Sequence, residues 1–248
     1  MGSTFATSDV HGHLADLRAN LAGAGLVDAD DRWVGGDADL WILGDLVDRG
    51  PDGIGVVRLV RSLQDQAPDR VHMLLGNHEA LMLGMKLFPR TRFTEVWTMN
   101  GGRRSDQDSL TDEDVAWLRS LPLVARSGEH LMMHSDTTGY LGWGGSVEEI
   151  NATVATMLAG DDPQVHFDLF AALTSRYDFV GADGPEVARS LLSTLGGSRV
   201  VHGHSIISTL LGVRSSQVEG PLLYADGLVV DIDGGRYDGG PLLLVQLD

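Results

Sequence analysis

The sequence predicts an α/β fold, and three observations carry that prediction. Short apolar runs alternate with amphipathic stretches through the first half of the chain. Several of those runs end in Asp, Asn or His. A set of β-type runs separated by Gly-rich turns closes the chain and predicts a second, partly antiparallel sheet. In order, Thr4–Thr7 reads as a strand running into Asp9, and Leu14, Leu17, Leu21 and Leu26 follow at roughly helical spacing. Asp39–Leu43 is a strand ending at Gly44-Asp45, and Ile54, Val57, Val60 and Leu63 form a helical stripe. Val71–Leu75 is a third strand, ending at Gly76-Asn77. Such repetition argues for parallel strands joined by right-handed crossovers. Ala80–Phe88 reads as a helix stopped by Pro89. Residues 111–121 read as a short helix, with Thr111 as N-cap and Asp114 at the favourable end. Leu131-Met132-Met133 reads as a buried strand ending at His134, and 146–175 as a helical cap beside it. The closing β-type runs are Val200-Val201, Leu222-Leu223, Leu228–Ile232 and Leu242–Leu247. No repeat or Pro/Ser linker divides the chain, so one domain over 1–248 is expected.

Composition narrows the function. The 248 residues include 27 Asp and 8 Glu against 17 Arg and a single Lys, Lys86, for a net charge of -17. A chain this acidic is ill suited to the phosphate backbone of nucleic acids or to an anionic membrane surface. There is no Cys, so Cys-ligated zinc, iron–sulfur clusters, disulfides and a thiol nucleophile are excluded. Any metal must be held by Asp, Glu, His, Asn and water. No basic-then-apolar leader opens the sequence, and no apolar run approaches the roughly 20 residues of a membrane helix. A cytoplasmic protein is expected.

Five strand ends then deliver metal-type side chains: Asp9-Val10-His11, Gly44-Asp45 with Asp48-Arg49-Gly50 just beyond, Gly76-Asn77-His78-Glu79, His134, and His202-Gly203-His204. Each alone is more often a turn or a satisfied core histidine. In open α/β sheets ligands collect beyond the carboxyl ends of the strands, and there the five together read as a metal site. The mixture of carboxylate oxygen and imidazole suits Mn, Fe, Zn or Co, not Ca alone.

The segments Asp9-Val10-His11-Gly12, Gly44-Asp45-Leu46-Val47-Asp48-Arg49-Gly50, Gly76-Asn77-His78-Glu79, His134 and Gly203-His204 resemble the calcineurin-like metallophosphoesterases. The branch they resemble includes the phosphoprotein phosphatases and diadenosine tetraphosphate hydrolases. The resemblance implies two β-sheets in a sandwich flanked by helices, an α/β fold (α+β in some schemes), with a small helical cap; 81–125 and 136–175 are expected at the substrate rim. It implies two divalent metal ions, manganese first, with Fe, Zn, Co or Ni as alternatives. Asp9 and His11 would hold one, Asp45 would bridge both, and Asn77, His134 and His204 would hold the other. Such ions, roughly 3.5–4 Å apart, generate a bridging hydroxide for in-line attack. His78 is then the general acid, hydrogen-bonded to Asp48 and held protonated by it. Arg49 offers a planar fork to phosphate oxygens, as Asn77 faces them from the metal side. Arg176 resembles a second phosphate-binding arginine; alternatively it forms a surface ion pair with Asp178. Trp97-Thr98-Met99-Asn100-Gly101-Gly102-Arg103 resembles a rim segment, in which Arg103 or Arg104 binds anions or is simply solvated. His202 is either beside the metals or merely the end of a strand. Asp233, in Asp231-Ile232-Asp233-Gly234, either supports a ligand histidine from behind or makes an ordinary turn.

Two departures bear on substrate. Ser8 stands where the pattern has Gly, and Ser135-Asp136-Thr137-Thr138 replaces a Gly-containing continuation. Asp136 either repels heavily anionic substrates or points to solvent or caps a turn. The function expected is a metal-dependent phosphomonoesterase acting on a phosphoprotein or a small phosphorylated metabolite, with neither nucleic acid nor membrane as partner. A dinucleoside polyphosphate hydrolase is the alternative, disfavoured by the charge of -17 although Arg90, Arg92, Arg103 and Arg104 offer a local patch. A phosphodiesterase is expected less, because Ser205-Ile206 follows Gly203-His204 in place of a Gly-His-x-His motif. An inactive scaffold is a remote alternative, since a scaffold has no use for His78, Asp48 and Arg49.

Overall fold

The computed structural model describes residues 2–247. It contains two sheets. The first has the order β3-β2-β1-β9, built from β1 (Thr4–Thr7), β2 (Asp39–Ile42), β3 (Val71–Met73) and β9 (Leu244–Leu247). β1, β2 and β3 are parallel, and β9 closes on β1 antiparallel, Thr4 opposite Leu247. The second has the order β4-β5-β6-β8-β7, from β4 (Val124–Ser127), β5 (His130–Met133), β6 (Arg199–His202), β7 (Leu222–Tyr224) and β8 (Val229–Asp231). Its three central strands β5, β6 and β8 are parallel, and both edges are antiparallel. The expected α/β architecture with a second, partly antiparallel sheet is therefore present.

Strand alternation sorts the core into two parts. Ala6, Trp41, Leu43, Leu74, Met132, Val201, Val230, Ile232 and Leu247 point inward from both sheets and form one apolar layer between them. Their neighbours Leu40, Ile42, Leu131, Met133 and Val200 point outward, into a larger core shared with the helices. Helices α1 (Leu14–Gly23) and α2 (Gly53–Gln66) cross between the first strands. Asp52 caps α2 by accepting the Gly55 N–H at 2.8 Å.

Helix α3 (Asn77–Leu87) begins three residues before the expected Ala80. Its first turn consists of Asn77, His78 and Glu79, all buried, so polar residues occupy positions that an apolar stripe would mark. The segment after Pro89, expected only as rim, contains α4 (Arg92–Met99) and α5 (Arg104–Ser109). Helix α6 (Asp112–Arg119) has the expected cap: Thr111 and Asp114 exchange hydrogen bonds at 3.2 and 3.0 Å. The long helical stretch is two helices, α7 (Val147–Ala159) and α8 (Pro163–Leu173), broken where Asp162 and Pro163 start a new N-terminus. α8 lies against α3, with Phe88 stacked edge-on to His166 at 5.0 Å. Helices α9 (Gly184–Leu195) and α10 (Ile207–Leu211) complete the set and were not expected; α9 buries Ala188, Leu191, Leu192 and Leu195. Among the described residues no helix is long and apolar enough to cross a membrane.

Candidate active site

The carboxyl ends of β1, β2, β3, β5 and β6 converge, and the loops leaving them continue the pairing of the strands. Asp9 N–H donates to Gly44 O at 3.1 Å, His11 N–H to Asp45 O at 2.9 Å, and Gly203 N–H to His134 O at 3.0 Å. Turning each side chain back over the sheet edge requires unusual backbone. Asp9, His11, Asp45, Asp48, Arg49 and His204 all have φ between 43° and 67°, a region sparsely occupied by non-glycine residues. A concentration of such residues marks a place where geometry is imposed by function. Gly44 has φ +104°, and a Cβ there would lie 2.7 Å from Gly76 Cα and 2.8 Å from His134 Nδ1, so only glycine fits between these loops.

Asp45 is central. Its Oδ1 lies 3.4 Å from His134 Nε2, and its Oδ2 lies 3.7 Å from His11 Nε2 and 3.9 Å from His78 Nε2. Asp9 Oδ1 is 3.8 Å from His11 Nε2, while Asp9 Oδ2 accepts the Ser8 hydroxyl at 2.6 Å and the His204 N–H at 2.8 Å. Backbone carbonyls fix the imidazole tautomers. His11 Nδ1–H donates to Val47 O at 2.9 Å and His134 Nδ1–H to Leu43 O at 2.8 Å, so each turns an Nε2 lone pair inward. His204 does the reverse: Nε2–H donates to Thr174 O at 3.1 Å, which leaves Nδ1 facing the site. Asn77 Oδ1 sits 2.9 Å from His134 Nε2.

This donor set fits a cation pair. His11, Asp45 and His78 form one cluster whose ligand atoms lie within 4.8 Å of one another, and Asp45, His134 and His204 form a second. Asp45 belongs to both. Burial, together with the Asp9 carboxylate, pushes the Asp45 pKa well up. Burial pushes those of His11 and His204 well down, with His78 adding to it at His11 and His134 at His204. Neutral imidazoles with inward lone pairs around crowded buried carboxylates are what divalent cations stabilise.

Beside these donors His78 Nδ1 meets Asp48 Oδ2 at 2.9 Å, and both side chains are fully buried. His78 Nε2 is buried without a hydrogen-bond partner among the described residues. Asp48 is held in turn by Trp97 Nε1–H at 3.1 Å and by the Arg103 backbone N–H. Burial raises Asp48 to about 7. Burial also lowers His78, with Arg49, His134 and Arg176 adding to the effect. Both shifts have one cause, the cost of charge in a buried place, and both oppose an imidazolium. In the chain alone Asp48 supplies orientation, fixing Nδ1–H toward itself and Nε2 toward Asp45.

Glu79, to which the sequence reading gave no role, ties two loops together. It accepts the N–H groups of Asp45 and Leu46, both at 2.8 Å, and of Gly76 at 3.0 Å. The signal was its place after Gly76-Asn77-His78. Burial and the nearby Asp45 raise its pKa to about 7.

The remaining candidates divide. Arg49 is half-buried, donates to His11 Nε2 at 3.1 Å, and lies over the Tyr237 ring at 3.9 Å. Tyr237 is another neighbour that the sequence did not reveal. Arg176 is exposed, and the surface ion pair with Asp178 is absent: Asp178 Oδ2 accepts from Thr137 and Thr138 instead. Arg103 and Arg104 are exposed at the start of α5. Trp97, expected on a rim, is buried against Asp48. His202 is turned away from the donors: Nδ1 bonds to Gly203 O at 2.7 Å and Nε2 to Tyr224 Oη at 2.8 Å. Asp233 Oδ1 accepts the Gly235 N–H at 2.8 Å and Oδ2 has no partner, so it supports no ligand histidine by a hydrogen bond. Asp136 neither faces substrate nor solvent. It is fully buried, with Oδ1 taken by the Ser205 hydroxyl and Oδ2 by the Tyr177 N–H.

Comparison with known proteins follows this geometry. A family model described as calcineurin-like phosphoesterase matches residues 3–208. The symmetrical bis(5'-nucleosyl)-tetraphosphatase of Pectobacterium carotovorum subsp. carotovorum is 35% identical over 127 residues, 49% of this chain and 38% of that protein. Its namesake from Aromatoleum aromaticum is 30% identical over 167 residues, covering 63% and 52%. The chain thus spans about half, or less, of the length of these curated relatives. Among solved structures, a cold-active protein tyrosine phosphatase superposes with TM-score 0.77 at 23% identity, covering all of this chain and 74% of its own. A putative diadenosine tetraphosphatase superposes with TM-score 0.54 at 19% identity, covering 99% and 93%. At these identities the superpositions show a shared fold.

Proposed function

Since the chain belongs to the calcineurin-like phosphoesterase family, we propose that it hydrolyses a phosphate ester or anhydride with a pair of divalent ions. The observation that carries this reading is the pair of buried donor clusters that share Asp45, one with His11 and His78 and the other with His134 and His204, with Asp9 and Asn77 beside them. Asp9 and His11 would hold one ion and Asn77, His134 and His204 the other, with Asp45 shared between them. The donors suit manganese, with Fe, Zn, Co or Ni as alternatives. When bound, such a pair supplies Lewis acidity to phosphoryl oxygens and an activated water as nucleophile.

The chain's own groups do the rest. Arg49 presents a planar fork to phosphate oxygens, braced from behind by the Tyr237 ring. Arg176 supplies a second cation. His78 is assigned the leaving-group proton, delivered from Nε2, the nitrogen that the fold leaves unbonded. A buried imidazole with a lowered pKa is a ready donor once protonated. Asp48, Trp97 and the Arg103 N–H fix its ring. Residues 81–125 and 136–175 are the cap segments in this reading; the first supplies Trp97 and the Arg103 N–H.

Two substrate classes stand. A phosphomonoester suits the net charge of -17, which repels larger polyanions. A dinucleoside polyphosphate is supported by the activity for which relatives 30–35% identical are named and by the exposed Arg103, Arg104 and Arg176. Turnover of para-nitrophenyl phosphate and of diadenosine tetraphosphate by the same Mn-loaded preparation separates them. We expect the monoester to be cleaved. A kcat/KM for the tetraphosphate more than about tenfold higher, roughly 1.4 kcal/mol, moves the assignment to the anhydride, and turnover of neither removes the hydrolase reading.

A further inference from the structure

Two short segments beside the site are strapped together by a reciprocal pair of aspartates. One, Ser135-Asp136-Thr137-Thr138, directly follows His134. The other, Thr174-Ser175-Arg176-Tyr177-Asp178, carries Arg176. From the first segment, Asp136 Oδ2 accepts the Tyr177 N–H at 2.9 Å and its carbonyl accepts the Asp178 N–H at 3.1 Å. Asp136 Oδ1 accepts the Ser205 hydroxyl at 2.5 Å, joining the strap to the loop of His204. From the second segment, Asp178 Oδ2 accepts the Thr138 N–H at 2.7 Å and the Thr138 and Thr137 hydroxyls at 2.8 and 3.0 Å. His204 Nε2–H donates to Thr174 O at 3.1 Å. The backbone is therefore tied at 174, 177 and 178, on both sides of Arg176. Tyr177 is held at φ +74°, a strained conformation for a non-glycine residue, which persists only where surrounding bonds dictate it. Arg176 is exposed, its guanidinium makes no ion pair among the described residues, and it stands two residues after Thr174, whose carbonyl holds His204.

We propose that Asp136 is a positioning residue that sets the loop carrying Arg176, and so acts on phosphate binding through that arginine. The proposal rests on reading Arg176 as a phosphate ligand. It reverses the sequence-based expectation for this carboxylate. Asp136 does not set a negative charge against an anionic substrate; its charge is absorbed by buried N–H and O–H donors, and the result is a cation aimed at the phosphate.

The test is a double-mutant cycle on the Mn-loaded chain with Asp136→Ala, Arg176→Ala and the pair. It reads KM for para-nitrophenyl phosphate and, independently of turnover, the calorimetric Kd for inorganic phosphate. Alanine removes both acceptor oxygens, so the bonds from Tyr177 and Ser205 are both lost. We expect each single variant to raise both constants about five- to tenfold, with kcat moved less, and the pair to be no worse than Arg176→Ala alone. Asp178→Ala, which removes the oxygen that takes all three donors of the opposite segment, should reproduce the effect and decides the matter if Asp136→Ala does not fold or loses metal. Additive effects in the cycle, or an unchanged phosphate Kd in the strap variants while Arg176→Ala weakens it, overturn the proposal alone. If Arg176→Ala leaves phosphate Kd unchanged, the reading of Arg176 falls, and this proposal with it.

Discussion

His78 shows how a side chain can be prepared for a task by what it lacks. Its Nδ1 is bonded to Asp48, its backbone N–H to Asp45 Oδ1 at 2.9 Å, and its Nε2 to nothing. It is not one of the six proposed ligands. His78→Ala should therefore keep its metal content, measured by elemental analysis, while kcat falls about 10²–10⁴-fold, the usual worth of a general acid. Metal lost together with activity would make it a ligand instead. Trp97→Phe keeps the buried ring but removes the donor at 3.1 Å from Asp48. A lost hydrogen bond to a charged group is worth about 1.5–3 kcal/mol. Part of that should appear as a fall in kcat of about tenfold at unchanged metal affinity. These two residues differ in how visible they were. His78 follows a strand end in a recognisable quartet. Trp97 meets Asp48 across 49 positions of sequence, a contact that no local pattern encodes. Asp136 misled for a related reason, since a carboxylate beside a ligand looks exposed until its donors from 177 and 205 are known.

The elements were readable where apolar periodicity was unbroken and obscured where function interrupted it. The strands β1, β2, β3 and β5 announce themselves as apolar runs, and their ends carry proposed metal donors. Helix α3 looked three residues shorter because its first turn is spent on Asn77, His78 and Glu79. Helices α4 and α5 are only 8 and 6 residues long, too short for a stripe to stand out. Helix α5 also carries a cost that can be measured. Asp106 is buried with Oδ2 unpartnered, close against Gly53 at the start of α2, and burial together with the Asp48 charge raises it to about 6. A carboxyl with a raised folded pKa contributes stability while it is protonated and loses that contribution as pH rises through about 6. Asp106→Asn stays neutral throughout. It should raise the melting temperature at pH 8, and the gain over the parent should shrink steadily as pH falls toward 4.5. A gain independent of pH would show that charge burial is not its cause.

At the scale of the whole molecule, the two sheets share one rim, where the candidate site lies. The first contributes Asp9, His11, Asp45 and Asn77; the second contributes His134 and His204. Neither sheet carries all six of the proposed donors. The apolar layer between them, from Ala6 to Leu247, is therefore also what keeps the two halves of the site in register. That joint character was legible as a list of strand ends, but the pairing of halves was not, because it depends on sheet-to-sheet packing. The acidic excess now divides as well. Of the 27 Asp, Asp9, Asp45 and Asp48 lie in the site, and Asp136 and Asp178 strap its edge. The proposed reaction requires a pair of divalent ions between these two halves. Mn²⁺ titrated into chelator-stripped protein, with para-nitrophenyl phosphate turnover followed, reads that requirement. No turnover is expected without metal, with a rise that saturates at two ions per chain; turnover that survives chelation, or saturation at a single ion, would rule the ion pair out.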